Sequence, residues 1–288
     1  MGKRFVLLLI LLAACGRAPT LRPASDLVAE GWDQYRLGEF DLAVKAFQQA
    51  AKSETARVPA LFGEAQTWQL RRPDFDLKKA AALYGQILEI APKSDYAAWS
   101  LLALARIKAI VPVDQPVDIA AVQPAFQAVM DRFPDHLAGH EAFFSLQALK
   151  LQTNSAATWH EVLTALDQFL QRHPQTPYAS GAHLLRAHCF HMLGEPAKEL
   201  QAVRQAWQTG EANPDNPEQN QVGTEWRIAT LAEFDVGDFA TAREYYHRLI
   251  DEYPTEQRVF LAKQELRHMD EIEAQLRQEP AGHKGGDQ

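Results

Sequence analysis

Cysteine is scarce, with two in 288 residues, and that excludes a disulfide-built scaffold or a multi-cysteine zinc module. Positive charge is also short: 29 Lys and Arg face 37 Asp and Glu, a formal charge of −8. General nucleic-acid binders and anionic-membrane binders need clustered positive charge, so this balance argues against both. Strand-type alternation of polar and apolar residues is missing from the body, which argues against a β-sheet architecture. The one long apolar run lies at the N-terminus and falls well short of the roughly 20 residues that span a bilayer. The signatures G-x-S-x-G, Walker loop and G-x-G-x-x-G do not occur. What is present, 47% hydrophobic and 23% charged residues, suits a folded chain with a sizeable core.

The N-terminus reads MGKRFVLLLILLAACGR, with Lys3 and Arg4 ahead of an apolar run from Phe5 to Leu12. A charged start, a short apolar stretch and small residues before a cut site form a secretory signal. Leu12-Ala13-Ala14-Cys15 resembles the lipobox of bacterial lipoproteins in both motif and position. The resemblance implies residues 1–14 as signal peptide, a diacylglycerol thioether on Cys15 and acylation of the new amine. Several acyl chains give a durable anchor where a single one binds only marginally. Gly16 stands where an Asp would imply inner-membrane retention, which leans toward the outer membrane. Residues 15–24, with Pro19 and Pro23 and no apolar periodicity, read as the lipidated cysteine and a tether.

From residue 25 to 278 the apolar spacing is helical throughout. Thirteen segments follow: Ser25–Leu37, Phe40–Lys52, Val58–Leu70, Leu77–Ile90, Tyr96–Ile110, Ile119–Arg132, Leu137–Gln152, Ala156–Arg172, Tyr178–Leu193, Ala197–Gln208, Asn220–Val236, Phe239–Glu252 and Gln257–Gln278. Pro92, Pro134, Pro174 and Pro254 each close an amphipathic helix at separations of 42, 40 and 80 residues, so the unit is about forty residues long. Twelve residues before the prolines stand Ala80, Val122, Val162 and Ala242. Eight before stand Tyr84, Phe126, Leu166 and Tyr246, and five before stand Ile87, Val129, Phe169 and Leu249. Eight residues after them come Ser100, Ala142, Ala182 and Ala262. Small residues let two helices approach, and larger side chains fill the groove beside them. Gly38 and Gly237, each followed by an acidic and an aromatic residue, supply left-handed helix stops.

These positions resemble tetratricopeptide repeats, with Trp226…Gly237-Asp238-Phe239…Ala242…Tyr246…Pro254 the best match and Ala187…Phe190…Gly194 another. The units are longer than the family's, and its Leu-Gly pair is mostly missing. The resemblance implies an all-α, right-handed α-solenoid of about six helical hairpins with a C-terminal capping helix. The phrase Phe169-Leu170-Gln171-Arg172-His173-Pro174-Gln175-Thr176-Pro177-Tyr178-Ala179 is similar to a seam of envelope lipoproteins of the BamD and CpoB kind. Residues 279–288 read as a disordered tail.

Ten histidines invite a search for chemistry. His183, His188 and His191 flank Cys189, yet five places on a helix is a 140° turn, so His183 and His188 do not share a face. His188 and His191 lack a third well-placed donor, so no metal, cofactor or catalytic residue is expected. Cys189, single once Cys15 is lipidated, is expected to pack as a small buried hydrophobe. Trp226 falls on the repeat register and is expected in the core. If the resemblance holds, the inner face of the solenoid includes Trp99, Arg106, Glu141, His188, His191 and Arg227, a mix suited to an extended or helical peptide. Asn, Asp and Pro at 213–217 read as a hinge.

The expected function is a non-enzymatic, lipid-anchored periplasmic scaffold that binds envelope proteins, in outer-membrane protein assembly or in Tol–Pal and cell-wall coordination. The alternative is a pilotin or a polysaccharide-export accessory lipoprotein. The membrane is met through the lipid anchor alone, and nucleic acid is not an expected partner. Replacing Cys15 with Ala is expected to move the protein from the membrane to the soluble fraction without unfolding it. Membrane fractionation of the variant checks this, and continued sedimentation with membranes counts against the anchor.

Overall fold

The computed structural model describes residues 23–278 apart from 113, 154 and 211–216. Cys15, the expected signal peptide, most of the expected tether, residues 213–216 of the expected hinge and the expected tail at 279–288 lie outside the described residues. Among the described residues every regular element is helical. They form α1 (Ala24–Leu37), α2 (Phe40–Ala50), α3 (Arg57–Gln66), α4 (Leu77–Ile90), α5 (Asp95–Lys108), α6 (Ile119–Arg132) and α7 (Leu137–Lys150). There follow α8 (Ala156–Arg172), α9 (Ala179–Met192), α10 (Pro196–Thr209), α11 (Pro217–Thr230), α12 (Phe239–Glu252) and α13 (Arg258–Gln278).

The four proline-closed helices share one construction. Asp76, Asp118, Ser155 and Asp238 begin α4, α6, α8 and α12, each side chain accepting a backbone N–H from the first turn. Such caps satisfy donors that the helix itself cannot reach. At the other end the residue before proline is pushed out of the α region. Ala91, Phe133, His173 and Tyr253 all take φ between −137° and −127° with ψ between 55° and 62°. Their N–H groups still donate to Ile87, Val129, Phe169 and Leu249, so each helix ends with its last bond intact.

All sixteen positions of the proline register are buried, from Ala80 and Tyr84 through to Leu249 and Ala262. Gly38 and Gly237 adopt φ of +83° and +76°, left-handed as the helix stops require. Cys189 is fully buried, and burial pushes its thiol up to about 11. Trp226 corrects its expected place: it is half-buried, packs on the flank of the core and meets Tyr246 at 5.6 Å between ring centroids.

Two expected helices are not α-helical to their ends. Beyond α3 and α11 the chain widens into π-helical turns at Thr67–Arg71 and Leu231–Val236. In both places a threonine hydroxyl donates to the carbonyl four residues back, Thr67 to Gly63 at 2.8 Å and Thr230 to Trp226 at 3.0 Å. That bond competes with the backbone ladder and loosens it locally.

The helices fall into two compact units divided after Ile107. In the first, α1 pairs with α2 and α3 with α4, and Ala103, Leu104 and Ile107 of α5 pack against the apolar cluster that α3 and α4 form. Phe47 of α2 is the wedge of this unit. A Cβ placed on Gly31 of α1 or Gly63 of α3 would sit 2.5 or 2.4 Å from its ring. In the second unit α6 packs on α7, α8 on α9, α9 on α10, α11 on α12 and α12 on α13, the neighbour-to-neighbour order of stacked hairpins.

Gly63→Ala is expected to destabilise the chain by about 1–3 kcal/mol, because the new methyl meets a ring with no room to move. Thermal unfolding followed by circular dichroism checks it, and an unchanged melting curve contradicts the wedge.

Candidate functional site

Of the six residues expected on an inner face, Trp99 and Arg106 lie half-buried on α5 in the first unit. The other four belong to the second. Glu141, half-buried on α7, accepts from the Tyr178 hydroxyl at 3.1 Å. His188 is exposed on α9. His191 and Arg227 are brought together by a residue that the sequence reading did not single out. Glu199, in the first turn of α10 and buried, faces His191 Nδ1 at 3.0 Å through Oε2 and accepts from Arg227 Nη2 at 2.9 Å through Oε1. The helix N-terminus adds its own favourable field to a carboxylate at this position. One buried acid thus joins α9, α10 and α11.

Among the described residues Glu199 is one of four buried glutamates, with Glu64, Glu225 and Glu233. Two are built alike, one in each unit. Glu64 Oε1 accepts from Trp68 Nε1 at 3.3 Å and from Gln48 Nε2 at 2.8 Å, while Lys79 stands 3.8 Å above the Trp68 ring. Glu225 Oε1 accepts from Trp207 Nε1 at 3.2 Å, while Arg248 stands 4.6 Å above the Trp207 ring with Nε 3.5 Å from the carboxylate. Each node couples an indole N–H, a carboxylate and a cation over the indole face, so the acid is partnered on one side and the cation on two. The pattern was visible in the sequence as a polar residue on an apolar stripe. Glu199 lines up with Val203 and Ala206, and Glu225 with Val222, Ile228 and Ala229.

The second unit also holds a cavity of about 400 Å³ between α6, α7 and α8. Gln123, Gln127 and Asp131 stand on one wall, and Phe169, Arg172 and His173 on another. From α7 come His140 and Gln147, seven residues apart and therefore on one face, both buried. Their Nε2 and Oε1 atoms find no hydrogen-bond partner among the described residues. His140 Nδ1 lies 3.1 Å from Thr176 Oγ1, which itself accepts the Tyr178 N–H. The threonine hydroxyl is then free to donate to Nδ1, and that leaves the ring proton on Nε2. Burial, followed by the nearby His173, lowers the His140 pKa and favours this neutral form. His140 and Gln147 thus leave one donor and one acceptor buried and unpartnered in the wall of the cavity.

Burial raises the pKa of Glu225 above its ordinary 4.5, with Glu252 adding to the effect and Arg248 opposing it. A raised folded-state value means that the stabilising contribution is complete below pH 4.5 and fades as pH climbs through the folded value. Glu225→Gln keeps an acceptor for Trp207 and removes the titration. The variant is expected to gain stability relative to the parent between pH 4.5 and neutrality. Melting curves across that range check it, and a difference that does not change with pH contradicts it.

Residues 225–255, the hairpin of α11 and α12, match the tetratricopeptide repeat model. Among solved structures the chain is similar to the Cut9–Hcn1 hetero-tetramer of APC/C, at 14% identity, with 85% of this chain and 42% of that one covered and a TM-score of 0.48. It thus spans less than half the length of that relative. A tetratricopeptide repeat protein from Parabacteroides merdae shares 14% identity over 83% of this chain and 82% of its own, with a TM-score of 0.48. A thermophilic repeat protein from Thermus thermophilus shares 17% over 83% and 95%, with a TM-score of 0.27. No curated protein sequence matches the chain. The repeat model falls on the hairpin where the sequence resemblance was strongest, the one that carries Trp226, Gly237, Ala242 and Tyr246.

Proposed function

We propose that the chain is a lipid-anchored adaptor of the bacterial envelope, tethered through Cys15 and probing the periplasm with a stack of helical hairpins. It is similar in design to tetratricopeptide lipoproteins of the BamD and CpoB kind, and its task is to hold partner proteins beside the membrane. Two features support this reading: the Leu12-Ala13-Ala14-Cys15 motif after a short apolar run, and the repeat hairpin at 225–255. Among the described residues no helix is long and apolar enough to cross a membrane, so the lipid is the route of attachment in this scheme. Anchoring confines the binding surface to two dimensions and raises the effective concentration of partners.

The observation that carries the binding role is the α6–α7–α8 cavity, whose walls include His140 and Gln147 with Nε2 and Oε1 buried and unpartnered. A buried polar atom without a partner costs about 1–3 kcal/mol. A partner side chain that bonds to both atoms recovers that cost on binding. Arg172 and Asp131 at the same cavity, with Lys150 paired to Glu161, make a mixed polar lining that favours an amide-bearing segment.

A photo-crosslinking residue at exposed Gln127, on the cavity wall, is expected to capture a partner in the native cell. Gln147→Leu in the same chain should abolish that adduct and raise stability by roughly 1 kcal/mol, since it removes an orphaned acceptor. An adduct that survives Gln147→Leu, or that also forms from exposed Glu244 on α12, contradicts the assignment.

A further inference from the structure

Glu233, Glu265 and His268 come together at the C-terminal end of the second unit, each offering one ligand atom within 4.8 Å of the others. Glu265 and His268 lie three residues apart on α13, which sets them side by side on one helix face. Glu233 comes from the π-helical turn that follows α11, and single-turn π segments are common at functional positions. His268 Nδ1 is 3.7 Å from Glu265 Oε2 and 3.8 Å from Glu233 Oε1.

The Glu233 carboxylate is the unusual member. Its side chain is 2% exposed and reaches Tyr246 of the apolar core. Oε2 accepts the Tyr246 hydroxyl at 2.7 Å. Oε1, turned toward His268, has no hydrogen-bond donor among the described residues. A buried carboxylate held half-satisfied against a second carboxylate needs a cation.

We propose that Glu233 Oε1, Glu265 Oε2 and His268 Nδ1 bind one divalent transition-metal ion of the Zn²⁺ class. A tetrahedral ion with bonds near 2.1 Å places its ligand atoms about 3.4 Å apart, so the observed separations close with small side-chain rotations. Two carboxylates and a neutral imidazole bring the net charge with a dication to zero. Imidazole with carboxylate suits Zn²⁺ better than the all-oxygen ions Ca²⁺ or Mg²⁺. The Tyr246 hydroxyl holds the far oxygen of Glu233, as outer-shell partners of metal ligands do. His268, 52% exposed, opens the site to solvent and leaves a fourth position for water. The ion would pin α13 to the turn that ends α11. In the sequence only Glu265 and His268 stand close together, because the third donor is contributed by the turn after another helix.

The test uses the untagged full chain stripped with EDTA and titrated with Zn²⁺ in competition with a chromophoric chelator. The parent is expected to bind one ion per chain and to melt at a higher temperature with the metal than without it. His268→Ala, checked for fold by circular dichroism, should weaken binding at least tenfold and lose the metal-dependent rise in melting temperature. His247→Ala, an exposed histidine on α12, should change neither. Equal Zn²⁺ affinity in the parent and in His268→Ala overturns the site. So does a parent that takes up no Zn²⁺ in excess metal.

Discussion

An isolated helix of about fourteen residues is marginal in water, and most of its stability in a protein comes from the face it buries. In this chain that face is made by one recurring fit between small and large side chains. Ala80 and Ala242 let their helices approach closely, and Tyr84 and Tyr246 fill the groove one turn on. The other elements depend on this fit because each helix meets mainly its sequence neighbours. A unit of this kind has no large central core to absorb a local error. The prolines and caps fix where each helix starts and stops, and so keep successive fits in phase.

The helical elements were legible for the same reason. Periodicity together with the closing prolines marked α4, α6, α8 and α12 with the ends they have in the structure, because Asp or Ser at one end and proline at the other act through local bonds. Ends set by tertiary competition were not legible. The slip into π geometry after Gln66 and after Thr230 depends on a threonine hydroxyl choosing a carbonyl, and threonine makes that choice in only some contexts. Trp226 was placed too deep because the register names a face and does not say how far the neighbouring helix covers it.

The polar sites were less legible than the fold. Arg227 and His191 were on the expected roll, but the acid that joins them was not, since pairing across α9, α10 and α11 is a property of packing. His140 and Gln147 were passed over for a related reason: their spacing is that of ordinary core residues, and only the room beside α7 makes them distinctive. A charged residue sitting on an apolar stripe was the available signal for Glu199 and Glu225. In a chain that is otherwise cleanly amphipathic, that exception marks a cross-helix bond.

The depth of Cys189 also bears on how the two thiols of this chain differ in reactivity. With its pKa pushed up to about 11, roughly one molecule in ten thousand carries the thiolate at neutral pH, and the side chain is sealed from solvent. An electrophile, whether an acyl donor, an oxidant or another protein's disulfide, finds no competing target there once the chain has folded. The one cysteine among the described residues is thereby closed to sulfur reagents in the folded chain.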